Sequence, residues 1–176
     1  VIAQPGALLV TKKGIKDSLA ANMSSYELMT KIYNTFEGWK KDIPESVWVG
    51  HNSLEFDETV LEYNLFSNLF FPYITRTNRG DTLNLARALY ALNPTFIKTG
   101  MTSRGNPSFK LDKLAELNQL PVDSAHDAYS DVKTSISLMK YIHDIDQTNW
   151  NQLTMTMNKD KAIDFVNRNK DFCYLK

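Results

Sequence analysis

Two pairs of polar residues in this chain have the types and spacing for hydrolytic chemistry: Asn52 with Asp57, and His126 with Asp131. The second pair lies in SAHDAYSDVKTSISLM, Ser124 to Met139, where a histidine stands five residues ahead of an aspartate at the mouth of an amphipathic helix. Each residue alone has an ordinary explanation. A first-turn aspartate meets the helix dipole favourably, and a histidine near a helix start is commonly a polar surface residue. Together they also suit a general base beside a metal-binding carboxylate, because imidazole titrates near neutrality. The first pair lies in VGHNSLEFDETV, where a short strand runs into Asn52 and Phe56-Asp57 opens the next helix. Polar and acidic groups just past a strand's end lie where α/β sheets bind ligands.

The elements that must hold these residues follow from periodicity and punctuation. SSYELMTKIYNTFEGWKK spaces Leu28, Ile32, Phe36 and Trp39 as one helix face, with Ser24 or Ser25 as N-cap and Pro44 as the stop. SVWVGHN is a β-branched and aromatic run ending near glycine, which reads as a buried strand. FDETVLEYNLFSNLFF carries Val60, Leu61, Leu65 and Leu69 behind an acidic first turn and reads as a helix ending before Pro72. NRGDTLNLARALYALNP predicts a turn and then a helix, capped by Asp81 or Thr82 and stopped by Pro94. Residues 95–107 read as an exposed polar loop, SFKLDKLAELNQL as a short helix, and Ala128, Val132, Ile136 and Met139 as one face of a longer one. The tail is mostly polar, with a further helix around residues 161–166. The expectation is a single α/β domain, helix-rich with short strands.

Bulk composition narrows little more. The chain has 176 residues, 43% hydrophobic and 23% charged, enough for one domain with a real core. Twenty Lys+Arg balance twenty Asp+Glu, so a nucleic-acid partner would have to meet a local basic surface. Cys173 is the only cysteine, which rules out an intrachain disulfide and fits a reducing cytoplasm. The apolar run LFFPYI is interrupted by Pro72 and is far short of a membrane span. The start, VIAQPGALLVTKKG, has no initiator methionine and reads as a chain entered partway through.

Taken in order, these segments resemble a known family. Asn52 with Phe56-Asp57, and His126 with Asp131, resemble the second and third motifs of the DEDDh exonuclease superfamily. DTLNLARALYAL resembles the segment between those motifs. GNPSFKLDKLAELNQL followed by SAHDAYSDVKTSISLMKYI, and the opening QPGALLVTKKGI, resemble bacterial exonuclease I, which degrades single-stranded DNA from its 3′ end.

The resemblance implies an RNase H-like exonuclease fold and a 3′→5′ exonuclease that releases nucleoside monophosphates in DNA repair or recombination. Hydrolysis in that family uses two Mg²⁺ or Mn²⁺ ions, about 3.5–4 Å apart, held by four carboxylates. By position Asp57 and Asp131 would be metal ligands and His126 the general base. Asn52, Arg104, Ser108 and Lys110 would contact DNA, with Phe109 between them a core anchor. His51 reads as a satisfied strand-end histidine, Arg76 and Arg79 as solvated charges, and Phe70-Phe71 as core. The partner implied is the 3′ end of single-stranded DNA, with single-strand DNA-binding protein added by family analogy, in the cytoplasm.

The family's first motif, an Asp-x-Glu on the first strand, is not in this sequence. Without that strand the fold is expected truncated at its N-terminal strands, SVWVGHN an open edge, and activity weak or absent. Residues 1–147 would form a partial exonuclease domain and 148–176 a connection towards an SH3-like domain. The competing expectations are a catalytically dead fragment that binds DNA or is merely structural, or a proofreading or RNA exonuclease of the same superfamily.

Overall fold

The computed structural model describes residues 16, 20, 22–121 and 128–168. The opening VIAQPGALLVTKKG, His126 and Cys173 lie outside the described residues.

Helix α1 (Ser25–Asp42) starts where the sequence caps it. Ser24 accepts from the Glu27 N–H, and Glu27 accepts from the Ser24 N–H at 2.8 Å, a reciprocal capping box. The buried face differs from the one expected. Leu28 and Trp39 are exposed, and Met29 is buried with Ile32, Tyr33 and Phe36 packed beside Leu65 and Ile74. The aromatic contacts set this rotation. Tyr33 lies 5.1 Å from the Phe70 ring, and Phe36 stacks on Trp48 at 4.1 Å. Phe70 thus joins the core as expected, but Phe71 does not and stands 60% exposed.

Strand β1 (Trp48–Gly50) leads into helix α2 (Asp57–Ser67). The expected turn at Arg79–Asp81 is instead strand β2, parallel to β1 in the register Trp48↔Arg79, Val49↔Gly80, Gly50↔Asp81. β2 covers one edge of β1, and among the described residues no strand pairs with the other. On β2's other side the chain returns: the Arg79 N–H donates to the Met157 carbonyl at 2.9 Å, and the Lys159 N–H to Thr77 at 3.1 Å. The Met157 side chain fills the space beside Gly80, where a Cβ would stand 2.6 Å from its sulfur.

Helix α3 (Thr82–Leu92) follows β2 directly. The expected loop 95–107 contains a small antiparallel hairpin, β3 (Gly100–Met101) with β4 (Pro107–Ser108), closed by Thr102 N–H to Asn106 at 2.8 Å. Helices α4 (Leu111–Leu117), α5 (Ala128–Ile145), α6 (Gln147–Met155) and α7 (Lys159–Arg168) complete the described chain. The main core joins Leu85 and Leu89 of α3, Ile97, Leu114 of α4, Leu138 and Ile142 of α5, and Leu153 of α6. Fully burying each such side chain stabilises the fold by roughly 1.5–3 kcal/mol.

Helix α5 corrects the sequence reading in an instructive way. Val132 and Ile136, expected on its buried face, are exposed, while Ser130, Thr134 and Ser135 are buried. These small hydroxyl side chains lie on the buried side of α5, which packs against α3 and α4. Their polarity is met locally: the Thr134 hydroxyl donates to the Ser130 carbonyl at 3.0 Å and Ser135 to Asp131 at 2.8 Å. Among the described residues no helix is long and apolar enough to cross a membrane.

Candidate active site

The end of β1 and the head of α2 are joined by a tight turn. Gly50 opens it, and a Cβ there would lie 2.6 Å from the Ser53 Cβ, so glycine is required by the close approach. Asn52 follows in the left-handed region at φ 61°, which asparagine tolerates better than most residues. The turn closes with Phe56 N–H to Asn52 at 3.1 Å and Glu58 N–H to Ser53 at 2.8 Å.

Asp81 clamps this turn from β2. One carboxylate oxygen accepts from Asn52 N–H at 2.7 Å and from Leu83 N–H at 2.9 Å, and the other from Leu54 N–H at 3.2 Å. The same side chain thus caps α3 and braces the loop that ends at Asp57. Hydrogen bonds to a charged group contribute about 1.5–3 kcal/mol each. The cap at Asp81 was legible in the sequence. The clamp, reaching across 29 residues to Asn52, was not.

Asp57 emerges as the first residue of α2. Partial burial raises its carboxyl above the usual aspartate value; its own backbone N–H partly offsets this, and the negative charge of Asp81 adds to the rise. The next residue, Glu58, is buried and paired with Arg79 at 2.8 Å, and Arg76 pairs with Glu62 at 2.8 Å. Both arginines, read from the sequence as solvated, hold ion pairs from β2 and the loop before it onto α2. No fixed spacing signals such pairs, which are 21 and 14 residues apart. Asp131 lies exposed in the first turn of α5, near enough to His51 to favour that imidazole's charged form.

His51 sits half-buried between three elements. Its Nδ1 is 2.9 Å from the Thr82 hydroxyl and its Nε2 is 3.0 Å from the Phe109 carbonyl. Burial holds its imidazole below the usual histidine range, with Arg87 acting in the same sense; the Phe109 carbonyl, Asp81 and Asp131 partly offset it. The satisfied reading of His51 is what the structure shows. His143 is likewise a surface residue, 2.8 Å from Asp144.

Three of the four DNA-contact candidates lie together on one segment. Arg104 is exposed at the tip of the β3–β4 hairpin, Ser108 is 9% exposed in β4, and Lys110 is exposed at the N-cap of α4. Between them Phe109 packs on the core and meets Tyr90 edge-on at 5.6 Å, the anchor role expected of it. Asn52 is exposed at the turn.

Asp57 and Asp131 are hard oxygen donors of the kind that suits Mg²⁺ or Mn²⁺. Asp81, the third carboxylate nearby, spends both oxygens on backbone N–H groups. Among the described residues no three His, Cys, Asp or Glu side chains gather to hold a metal ion, so they do not complete a two-ion site.

Residues 15–139 match the RNase_T family model, described as an exonuclease. The chain belongs to the RNase_T exonuclease family. This RNase_T chain is 28% identical to exodeoxyribonuclease I of Escherichia coli over 94% of its own length, and 31% identical to that of Haemophilus influenzae over 78%. It spans only 34% and 29% of those proteins. Among solved structures it is similar to E. coli exonuclease I in complex with a dT13 oligonucleotide, with TM-score 0.80, 28% identity, and coverage of 94% of this chain and 35% of that one. It is also similar to a complex of exonuclease I with SSB-Ct, with TM-score 0.79, 27% identity, and coverage of 93% and 35%. The RNase_T chain therefore has the RNase H-like exonuclease fold, helix-rich and with two small sheets among the described residues.

Proposed function

We propose that this chain carries part of the catalytic centre of a 3′→5′ exonuclease that degrades single-stranded DNA to nucleoside monophosphates, in DNA repair or recombination in the cytoplasm. The observation that carries the reading is the Asp81-clamped turn, which sets Asp57 at the head of α2 just past the end of β1. In a family of exonucleases, a carboxylate so placed fits a divalent-metal ligand, with Asp131 at the head of α5 as a second. Mg²⁺ or Mn²⁺ is the proposed ion, and it would supply Lewis-acid stabilisation of the phosphodiester. His126 keeps the proposed role of general base. Asn52, Arg104, Ser108 and Lys110 would bind the strand, with exposed Lys110 and Arg104 meeting phosphates. By likeness to the exonuclease I complexes, the 3′ end of single-stranded DNA and single-strand DNA-binding protein are the proposed partners. The division into a partial exonuclease domain at 1–147 and a connection at 148–176 belongs to the same proposal.

A second reading, DNA binding without hydrolysis, is favoured by one observation: the described residues do not complete a metal site. One experiment separates the two. A labelled single-stranded oligonucleotide is incubated with the chain and its Asp57→Ala and Asp131→Ala variants, with Mg²⁺ or Mn²⁺. Mononucleotide release by the parent, lost at least about a hundredfold in both variants, supports the exonuclease reading. Binding with no release supports the second reading. Release that survives both substitutions removes Asp57 and Asp131 from the site.

A further inference from the structure

We propose that His51 is a positioning residue: its imidazole clasps the segment Ser108–Lys110 to the end of β1, and so sets the distance between the DNA contacts on that segment and the turn carrying Asn52 and Asp57. The role rests on the exonuclease reading for its consequence, and on hydrogen-bond geometry for its existence.

The geometry constrains the protons. The Phe109 carbonyl, 3.0 Å from Nε2, can only accept, so Nε2 must carry a hydrogen. In the neutral ring Nδ1 is then an acceptor, and the Thr82 hydroxyl supplies its hydrogen across 2.9 Å. Thr82 is fully buried and also lies 3.2 Å from the Gly50 carbonyl, to which it would turn if Nδ1 were protonated. One imidazole therefore joins the end of β1, the first residue of α3 and the entry to α4, contacts 31 and 58 residues apart in sequence.

The joined segments are those whose spacing matters. Next to His51 on one side is Asn52, fixed by Asp81. Flanking Phe109 are Ser108 and Lys110. Phe109 is anchored on Tyr90 by its ring, Ser108 is paired with Gly100 in the hairpin, and the Lys110 carbonyl accepts from the Leu114 N–H at 2.9 Å. Those contacts hold the segment to its own hairpin and helix, and the bond to the Phe109 carbonyl ties it to the end of β1. The groups facing the imidazole from the packed elements are Asp81, Arg87 and Asp131, none of which replaces the Phe109 bond.

The test compares the chain with His51→Phe, which keeps ring volume without hydrogen bonds, and His51→Gln, whose amide N–H can reach a carbonyl. Three readouts are used: backbone amide exchange, affinity for a fluorescent single-stranded oligonucleotide, and the ¹⁵N spectrum of the parent imidazole. The expected results are an Nε2–H imidazole in the parent, and exchange over residues 100–114 about fivefold or more faster in the Phe variant, as the loss of one net hydrogen bond implies. Oligonucleotide affinity should fall by a similar factor, and the Gln variant should recover most of both. Exchange and affinity unchanged by Phe, a Gln variant no better than Phe, or an Nδ1–H tautomer in the parent would each overturn the clasp. If the Phe variant does not fold, the parent tautomer and the Gln variant still decide. A parent that binds no oligonucleotide refutes the exonuclease reading, while exchange continues to judge the clasp.

Discussion

Asp57 and Asp81 meet at one turn and face opposite conditions. Asp81 is buried with three backbone N–H donors, while Asp57 is only partly buried and lies near the Asp81 charge. A carboxylate that is not fully compensated in the folded state is raised in pKa, which is what a cation would relieve. The sign of the stability effect follows. Folding favours the protonated form of Asp57, so its ionisation costs the folded state nothing below the ordinary aspartate value near 3.9, and the cost appears as pH rises through the raised value. Asp57→Asn should therefore raise the thermal midpoint at pH 7, by an effect within about 1 kcal/mol because the group is largely exposed. The increment should disappear in melts at about pH 3.5. An increment constant across pH would show that something other than charge is being removed.

Elements here are bounded by local chemistry and oriented by remote contacts. Helix α2 ends in a reversal, with Phe70 N–H bonded back to Leu65 at 2.9 Å and Leu69 in the left-handed region at φ 65°. Leu69 is 95% exposed and gains little burial to offset that strain. Leu69→Gly should raise stability by about 0.5–1 kcal/mol, since glycine adopts this conformation without a Cβ clash. A urea titration should show a higher midpoint at unchanged slope, and a lower midpoint would mean that the leucine makes a stabilising contact. The same helix shows what local signals omit. Its acidic first turn was readable, but Glu58 turns inward to Arg79 and only Asp57 stays outward.

At the scale of the molecule, two helices show apolar stripes to solvent. On α2 and its N-cap these are Phe56, Val60 and Tyr63, and on α5 Val132 and Ile136, each 48% exposed or more. The formal net charge is zero, so little electrostatic repulsion opposes contact between copies. Exposed patches of this kind favour association. Sedimentation velocity should show the described chain self-associating as its concentration rises, and Tyr63→Glu with Ile136→Glu should shift it to monomer. A parent that stays monomeric throughout the range would show these stripes too small or too scattered to pair.

The sequence by itself determined most of the helices, several of their caps and the two acidic helix heads, because those depend on neighbours three or four residues away. Helix α6, capped by Asp146, was missed in a tail that reads as mostly polar. Ser24, Asp81, Pro44 and Pro94 are signals of that range, and Asp57 and Asp131 stand in the first turns of α2 and α5. His126, named as general base through the family resemblance, lies outside the described residues. Tertiary structure decided what depends on distant partners. It turned Arg79–Asp81 from a turn into a strand, because β1 supplies the pairing. It turned α5 onto Ser130, Thr134 and Ser135, because close helix packing rewards small side chains whose hydroxyls bond within the helix. It set Asp81 against the Asn52 turn and His51 against Phe109, contacts spanning 29 and 58 residues. Backbone donors and acceptors near a site must find partners wherever the fold brings them, and no spacing along the chain encodes which ones those will be.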